Sequence, residues 1–90
     1  MPIGAIWREE IDAIEFRLED GWRFVVHRNV FRTLLGRAAS PLECLSFTEA
    51  HAEEVLAAAR ARRGEAASGT TAFHLNSRQL RRALGTLKVG

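Results

Sequence analysis

Four side chains have the chemistry of a nucleophile, a base or a metal ligand: Cys44 and the three histidines, His27, His51 and His74. A cysteine nucleophile needs a base within hydrogen-bond reach, and the base needs a third group that orients it. None of the histidines stands at a spacing that predicts contact with Cys44, since even His51 is about two helical turns away. We therefore predict that Cys44 packs as a small apolar residue near a helix start, and that the chain has no catalytic residue.

The sequence also lacks the usual motifs for a metal or a cofactor. Zinc sites favour paired ligands, and there is neither a Cys-x-x-Cys nor a His-x-x-x-His pair. A Gly-rich phosphate loop, a dinucleotide fingerprint and a Gly-x-Ser-x-Gly elbow are absent as well. The paired acids Glu9-Glu10 and Glu53-Glu54 are most simply solvated charges. These observations predict a protein that is not an enzyme and that uses no metal and no cofactor.

Charge is distributed unevenly along the chain, although the formal net charge is only +2. Residues 1–59 carry six arginines against ten acidic residues, whereas residues 60–90 carry seven basic residues against Glu65 alone. The basic end could meet an acidic partner, a phosphate backbone or the acidic half of a second copy, or it could lie across the chain's own acidic surface. Nucleic-acid binding is the alternative functional hypothesis, with salt-dependent phosphate contacts from Arg60, Arg62, Arg63, Arg78, Arg81 and Arg82. Neither a helix-turn-helix pattern nor a pair of stacking aromatics accompanies these arginines.

The favoured hypothesis is a protein-binding or self-associating accessory module, with a homodimer expected. Its candidate contact residues are Trp7, Trp22 and Arg23, because tryptophan and arginine are enriched among the residues that anchor interfaces. The competing interpretation is that both tryptophans cap the edge of the core. A domain of this size buries only about 60–65% of its unfolded surface, so a second copy would add to a thin core.

The composition indicates one globular domain that spans residues 1–90. Hydrophobic residues make up 47% of the chain and charged residues 27%, which excludes collagen-like, disordered and coiled-coil classes. No apolar run approaches the roughly 18 to 20 residues that cross a membrane, and the start of the chain does not resemble a signal peptide. The single cysteine suits a reducing compartment. We therefore expect a cytoplasmic protein without a membrane partner.

A β-hairpin is the clearest local pattern. Apolar and polar residues alternate from Asp12 to Glu19 and again from Trp22 to His27, which is typical of strands with one buried face. A three-residue loop, Glu19-Asp20-Gly21, keeps the apolar residues together, whereas a two-residue loop would mix the faces. The predicted cross-strand pairs are Ile14 with Val26, Phe16 with Phe24 and Leu18 with Trp22.

The remaining elements are mostly helical. Asn29 is predicted to cap a short helix at 30–35 that Gly36 ends, and Ser40 to begin a long helix at 41–63 with a capping box to Glu43. Ser46 and Thr48 weaken the middle of that helix, so a break at 46–48 is an open alternative. A flexible connection is predicted at 64–70 and a third strand at 71–75. A last helix is predicted at 78–84, capped by Asn76 or Ser77 and ended by Gly85. Ile3, Ile6 and Trp7 predict a further short strand near the N-terminus. The predicted fold is α+β: an antiparallel sheet of about three strands packed against one long helix, with short flanking helices.

The layout resembles the small bacterial proteins grouped as domain of unknown function 1488. The residues that carry the resemblance are Ile14-Glu15-Phe16 and Asp20-Gly21 in the hairpin, the run from Val30 to Gly36, the run from Glu53 to Ala59, and Phe73-His74-Leu75-Asn76-Ser77. Together they span roughly residues 10–78. The resemblance implies a compact α+β domain of bacterial origin, and it brings no known activity and no catalytic residue.

Overall fold

The computed structural model of the chain describes residues 3–19, 21–64 and 72–88. They form four strands and four α-helices, so the predicted α+β class is confirmed. The strands are β1 (Ile6–Arg8), β2 (Ala13–Arg17), β3 (Arg23–His27) and β4 (Ala72–His74). The helices are α1 (Arg28–Leu35), α2 (Pro41–Ala50), α3 (Ala52–Gly64) and α4 (Ser77–Lys88), and a 3-10 turn, Glu9–Ile11, joins β1 to β2. Of the predicted flexible connection at 64–70, Gly64 is the last residue of α3 and the rest lies outside the described residues.

The hairpin has the predicted register. Phe16 pairs with Phe24 and Ile14 with Val26 across β2 and β3. These four side chains are at most 2% exposed and lie on the same face of the sheet. Burial of both apolar rows on one face therefore selects this register, because a slip by one residue would turn every side chain to the opposite face.

The reversal that produces this register depends on Gly21. The backbone N–H of Leu18 donates to the carbonyl of Trp22 at 2.9 Å, and the N–H of Gly21 donates to the carbonyl of Leu18 at 2.9 Å. Gly21 has φ +90°, a left-handed conformation that a residue with a side chain adopts only at a cost. The predicted pairing of Leu18 with Trp22 and the left-handed glycine are both confirmed.

The sheet is larger than predicted and is mixed. Its order is β1-β2-β3-β4, and β4 runs parallel to β3, so the prediction of a wholly antiparallel sheet of three strands was wrong. The three intervening helices bring the chain back to the end of the sheet where β3 starts, and such a crossover is how parallel neighbours are joined. The predicted N-terminal strand exists as β1, which pairs antiparallel with β2.

The predicted long helix is two helices. The capping box at its start is confirmed, since the Ser40 side chain accepts from the Glu43 N–H and the Glu43 carboxylate accepts from the Ser40 N–H. The break falls at His51, which has φ −116° and ψ 36°, rather than at 46–48. One turn before it, the buried Thr48 hydroxyl donates to the Cys44 carbonyl at 2.8 Å, a bond of the type that bends helices.

The two short helices also have different bounds from those predicted. The N-cap of α1 is His27, so the predicted Asn29 cap was wrong, while its predicted end at Gly36 is confirmed with φ +74°. Asn76 caps α4 as predicted, because the Gln79 N–H donates to its side chain at 2.8 Å. However, α4 continues through Gly85 to Lys88, since a glycine inside a helix costs only about 1 kcal/mol relative to alanine.

One hydrophobic core lies between the helices and one face of the sheet, which we call the inner face. Every α-helix contributes at least one buried residue to this core: Phe31, Cys44, Val55, Ala58, Ala59 and Leu80. Among the described residues, no helix is both long and apolar enough to cross a bilayer. The opposite face of the sheet, the outer face, carries the alternate residues of each strand, among them the exposed Ile6, Arg17 and His74.

Candidate functional site

The thiol of Cys44 is fully buried and serves packing, as predicted. Its side chain is 0% exposed and belongs to the core, and burial raises the pKa of the thiol above its ordinary value. A raised pKa keeps a thiol protonated and therefore a poor nucleophile. Within the described ranges, no hydrogen bond joins a histidine ring to Cys44; His27 and His74 bond to each other, and His51 packs on Phe47 with ring centroids 4.5 Å apart.

The pairing of His27 with His74 is a feature that sequence reasoning missed. Their rings lie on the outer face of β3 and β4, with Nε2 of His27 2.9 Å from Nδ1 of His74 and ring planes 11° apart. Because the bond joins two ring edges, the rings are nearly coplanar rather than stacked face to face. One of the two facing nitrogens has to be an unprotonated acceptor. Among the described residues, no third His, Cys, Asp or Glu completes a metal-binding cluster here or elsewhere.

Both tryptophans lie at the edge of the core, which confirms that interpretation of them. Trp22 is half-buried and stacks on Phe73 with ring centroids 5.2 Å apart, and the Arg63 guanidinium lies 5.3 Å from the Trp22 ring centroid. Trp7 is also half-buried, lies 5.3 Å from the Arg28 guanidinium and donates its Nε1 hydrogen to Glu9 at 3.0 Å. Any partner that reaches either ring therefore meets an arginine beside it.

The three arginines at the C-terminal end of α3 all contact other parts of the fold. Arg60 lies 3.7 Å from the Glu19 carboxylate at the hairpin turn. The Arg62 guanidinium lies 5.3 Å from the Phe73 ring centroid, and that of Arg63 is over Trp22. Cation–π contacts of this kind stabilise a fold by about 0.5–1 kcal/mol at exposed sites. These arginines thus tie α3 to the hairpin and to β4 in addition to any binding role.

A shallow groove of about 140 Å³ runs between α3 and α4, and we call it the basic groove. Its arginines are Arg62 from α3 and Arg78 and Arg82 from α4, and none of its described lining residues carries a carboxylate. The helices approach closely because alanines, Ala58 and Ala61, form the α3 side of the groove. A second surface depression, lined by Ser77, Arg78, Arg81 and Arg82, continues the positive surface along α4. Four of the six arginines singled out in the sequence are therefore brought together.

The start of α4 determines where its arginines lie. Asn76 and Gln79 form a reciprocal cap, because the Asn76 N–H also donates to the Gln79 side chain at 2.9 Å. Leu80 is buried against the core one residue later. Because the cap defines the first residue of α4 and Leu80 defines its buried side, Arg78, Arg81 and Arg82 are exposed.

The charges of Arg78 and Arg81 on α4 are not neutralised by the acidic residues that the structure describes. Neither Arg78 nor Arg81 forms an ion pair with a described carboxylate, and an ion pair between Arg60 and Glu19 joins the basic region to the acidic one. The first turn of α4 contains no acidic residue, although a helix start favours negative charge. An external anion is what this surface would attract.

A second group of charges lies on the outer face of the sheet. Glu15 is only 7% exposed, and its carboxylate accepts from the Arg8 guanidinium at 2.7 Å and lies 4.0 Å from that of Arg23. Arg17 is directly opposite Arg23 on the neighbouring strand. The sequence predicted a charged face here but not the burial of Glu15, which follows from the long arginine side chains around it.

Comparisons of the chain with models of protein families, with curated proteins and with solved structures find no match in any of the three. The resemblance to domain of unknown function 1488 therefore stays a prediction.

Proposed function

We propose that the chain is a non-enzymatic binding protein that holds nucleic acid by its phosphate backbone along the basic groove and the adjoining surface of α4. The observation that carries the proposal is the meeting of Arg62, Arg78 and Arg82 in one groove that no described carboxylate lines. The setting that we propose is a bacterial cytoplasm, in which a buried Cys44 would stay reduced.

Arginine suits this role for a geometric reason. Its guanidinium presents a planar fork of donors that matches two phosphate oxygens and stays charged at any physiological pH. The backbone N–H groups at the start of α4 add a partial positive charge close to Arg78. A phosphate group in the groove would therefore exchange water for several charge-assisted hydrogen bonds.

The groove offers contacts to phosphate rather than to bases. Its described lining residues are arginine, alanine and glutamine, without an aromatic ring on which a base could stack. We therefore expect binding that is weakly dependent on nucleotide sequence and strongly dependent on salt. With about three or four phosphate contacts, log K should fall against log salt with a slope of roughly −3.

The test is a fluorescence anisotropy titration of a labelled oligonucleotide at two salt concentrations. Wild-type protein should bind at low salt and lose most of its affinity at the higher salt, and Arg81→Gln should weaken binding at low salt. The matched control is Arg32→Gln on α1, because Arg32 is also an exposed helical arginine without an ion pair to a described carboxylate. Absence of binding at low salt would refute the proposal. An equal loss of oligonucleotide affinity in the two variants would show that binding depends on net charge alone.

Self-association is a second candidate function, and the edge strand β1 favours it. Ile6 is 53% exposed on this outermost strand, next to Trp7. An exposed edge strand with an apolar residue is a template on which a second copy can add a strand. Light scattering should then give the mass of a dimer for the wild type and of a monomer for Ile6→Lys. A monomeric wild type at the highest attainable concentration would exclude this candidate.

A further inference from the structure

The outer face of the sheet contains an electrostatically unfavourable pair. Arg17 on β2 and Arg23 on β3 are cross-strand partners, so their side chains leave the same face of the sheet side by side. Like charges directly opposite each other destabilise a sheet. Nothing in the pairing of the hairpin requires two cations here, because the register is selected by the buried apolar row on the inner face.

The described residues supply little negative charge to this pair. Glu15, the nearest carboxylate in the strand register, is already bonded to Arg8 at 2.7 Å and lies only at 4.0 Å from Arg23. Arg17 forms no ion pair with any carboxylate in the described part of the chain. On the far side of Arg23, the register places Ala72 of β4, which has no charge to offer.

Both guanidinium groups are accessible. Arg17 is an exposed residue, and the Arg23 side chain is 44% exposed. Two parallel arginine forks on neighbouring strands can each direct hydrogen bonds at the oxygens of a single anion between them. An anion with several oxygens and up to two negative charges satisfies both forks and removes their repulsion, and a phosphate group has that chemistry.

We propose that Arg17 and Arg23 form a phosphate-binding clamp on the outer face of the sheet. The clamp is a site separate from the basic groove, which lies between helices that pack on the inner face, and it does not depend on the proposed function. The bound group is a phosphate, supplied either by a free phosphate ion or by a nucleic-acid backbone. Because the two arginines repel each other when no anion is bound, the clamp lowers the stability of the free protein, and a bound phosphate restores that stability.

The first arm of the test is a titration with sodium phosphate at constant ionic strength, followed by NMR on the side-chain Nε–H signals of the arginines. The signals of Arg17 and Arg23 should shift together and saturate, while that of the exposed Arg32 should not. In the Arg17→Gln variant, the affinity for phosphate measured from the Arg23 signal should fall roughly tenfold or more, since charge-assisted hydrogen bonds are lost. Arg17→Lys, which keeps the charge but not the fork, should bind with intermediate affinity.

The second arm measures thermal stability at low salt. Without phosphate, Arg17→Gln should raise the Tm, because it removes the repulsion, whereas added phosphate should raise the Tm of the wild type more than that of the variant. A merely structural role for Arg17 predicts the opposite sign, a lower Tm on substitution. A lower Tm together with unsaturated, uniform arginine shifts would overturn the clamp.

The third arm identifies the source of the phosphate. If a nucleic-acid backbone occupies the clamp, Arg17→Gln should reduce the magnitude of the salt slope of oligonucleotide binding by about 1. If the slope is unchanged while free phosphate still saturates, the clamp is a site for a small phosphate ligand. Loss of oligonucleotide binding in Arg81→Gln with intact phosphate binding at Arg17 would separate the clamp from the basic groove.

Discussion

Replacing Gly21 by alanine should destabilise the protein through the backbone alone. A Cβ built on Gly21 has no heavy atom within 4 Å, so a steric clash contributes nothing, and the whole cost comes from placing an L residue at φ +90°. That cost is roughly 1–2 kcal/mol. For a domain of this size, each 1 kcal/mol corresponds to about 4–8 °C in Tm. Thermal unfolding followed by circular dichroism should therefore show a Tm lower by several degrees.

The matched control is the same substitution at Gly85. A Cβ there also has no heavy atom within 4 Å, but Gly85 lies inside α4, where alanine is favoured over glycine by about 1 kcal/mol. Gly85→Ala should therefore raise the Tm by about 4–8 °C, so that one chemical change has opposite signs at two sites. A Gly21→Ala variant as stable as the wild type would refute the left-handed reversal. A neutral or destabilising Gly85→Ala would show that α4 ends earlier.

Three further predictions concern single side chains. The hydrogen bond from the Arg37 side chain and, as the second-largest cause, that from the Ser40 N–H lower the pKa of the Glu43 carboxyl from 4.5 to about 2. The stabilisation of the fold by this carboxylate is therefore complete above pH 4.5 and is lost as the pH falls through 2. Melting curves between pH 5 and 2 should accordingly fall more steeply for the wild type than for Glu43→Gln, and parallel curves would contradict the ion pair. Cys44 should react with an aromatic disulfide reagent only as fast as the protein unfolds, because it is buried; fast labelling of the native protein would contradict this. Leu80→Ala should cost about 2–5 kcal/mol in urea unfolding, since Leu80 is 1% exposed beneath α4, and a loss below 1 kcal/mol would show that α4 is loosely packed.

The hairpin could be predicted from the sequence because several local preferences agree there. The apolar alternation, the need to bury both rows on one side and a glycine at the left-handed turn position all specify the same register. The capping box at Ser40 is local in the same way, since its two partners are three residues apart. Cys44 was predictable as a core residue because it stands next to such a helix start without a partner at a reactive spacing.

The direction of β4 and the break at His51 depend on tertiary structure and could not be predicted in this way. A three-residue strand such as Ala72–His74 has the same pattern whether it pairs parallel or antiparallel. Its direction belongs to the helical crossover from β3 to β4 and not to its own three residues. The meeting of His27 with His74 has the same origin, because the two residues are 47 positions apart and only the parallel pairing of β3 with β4 brings them together.

The charge count identified the basic region but could not distinguish arginines that hold the fold from arginines available to a ligand. Arg60 and Arg63 contact Glu19 and the Trp22 ring, whereas Arg78 and Arg81 contact no described carboxylate. The double variants Arg60→Gln/Arg63→Gln and Arg78→Gln/Arg81→Gln change the net charge equally.

The first double variant should therefore lower the free energy of unfolding by roughly 0.5–1 kcal/mol, mainly through the lost cation–π contact, since an exposed ion pair such as that of Arg60 adds little. The second should leave stability within about 0.5 kcal/mol of the wild type and should cause the larger loss of oligonucleotide affinity. Urea unfolding and anisotropy on the same preparations measure both quantities. If both variants lost affinity equally and neither lost stability, the basic region would act only through its total charge, and the basic groove would have no role as a site.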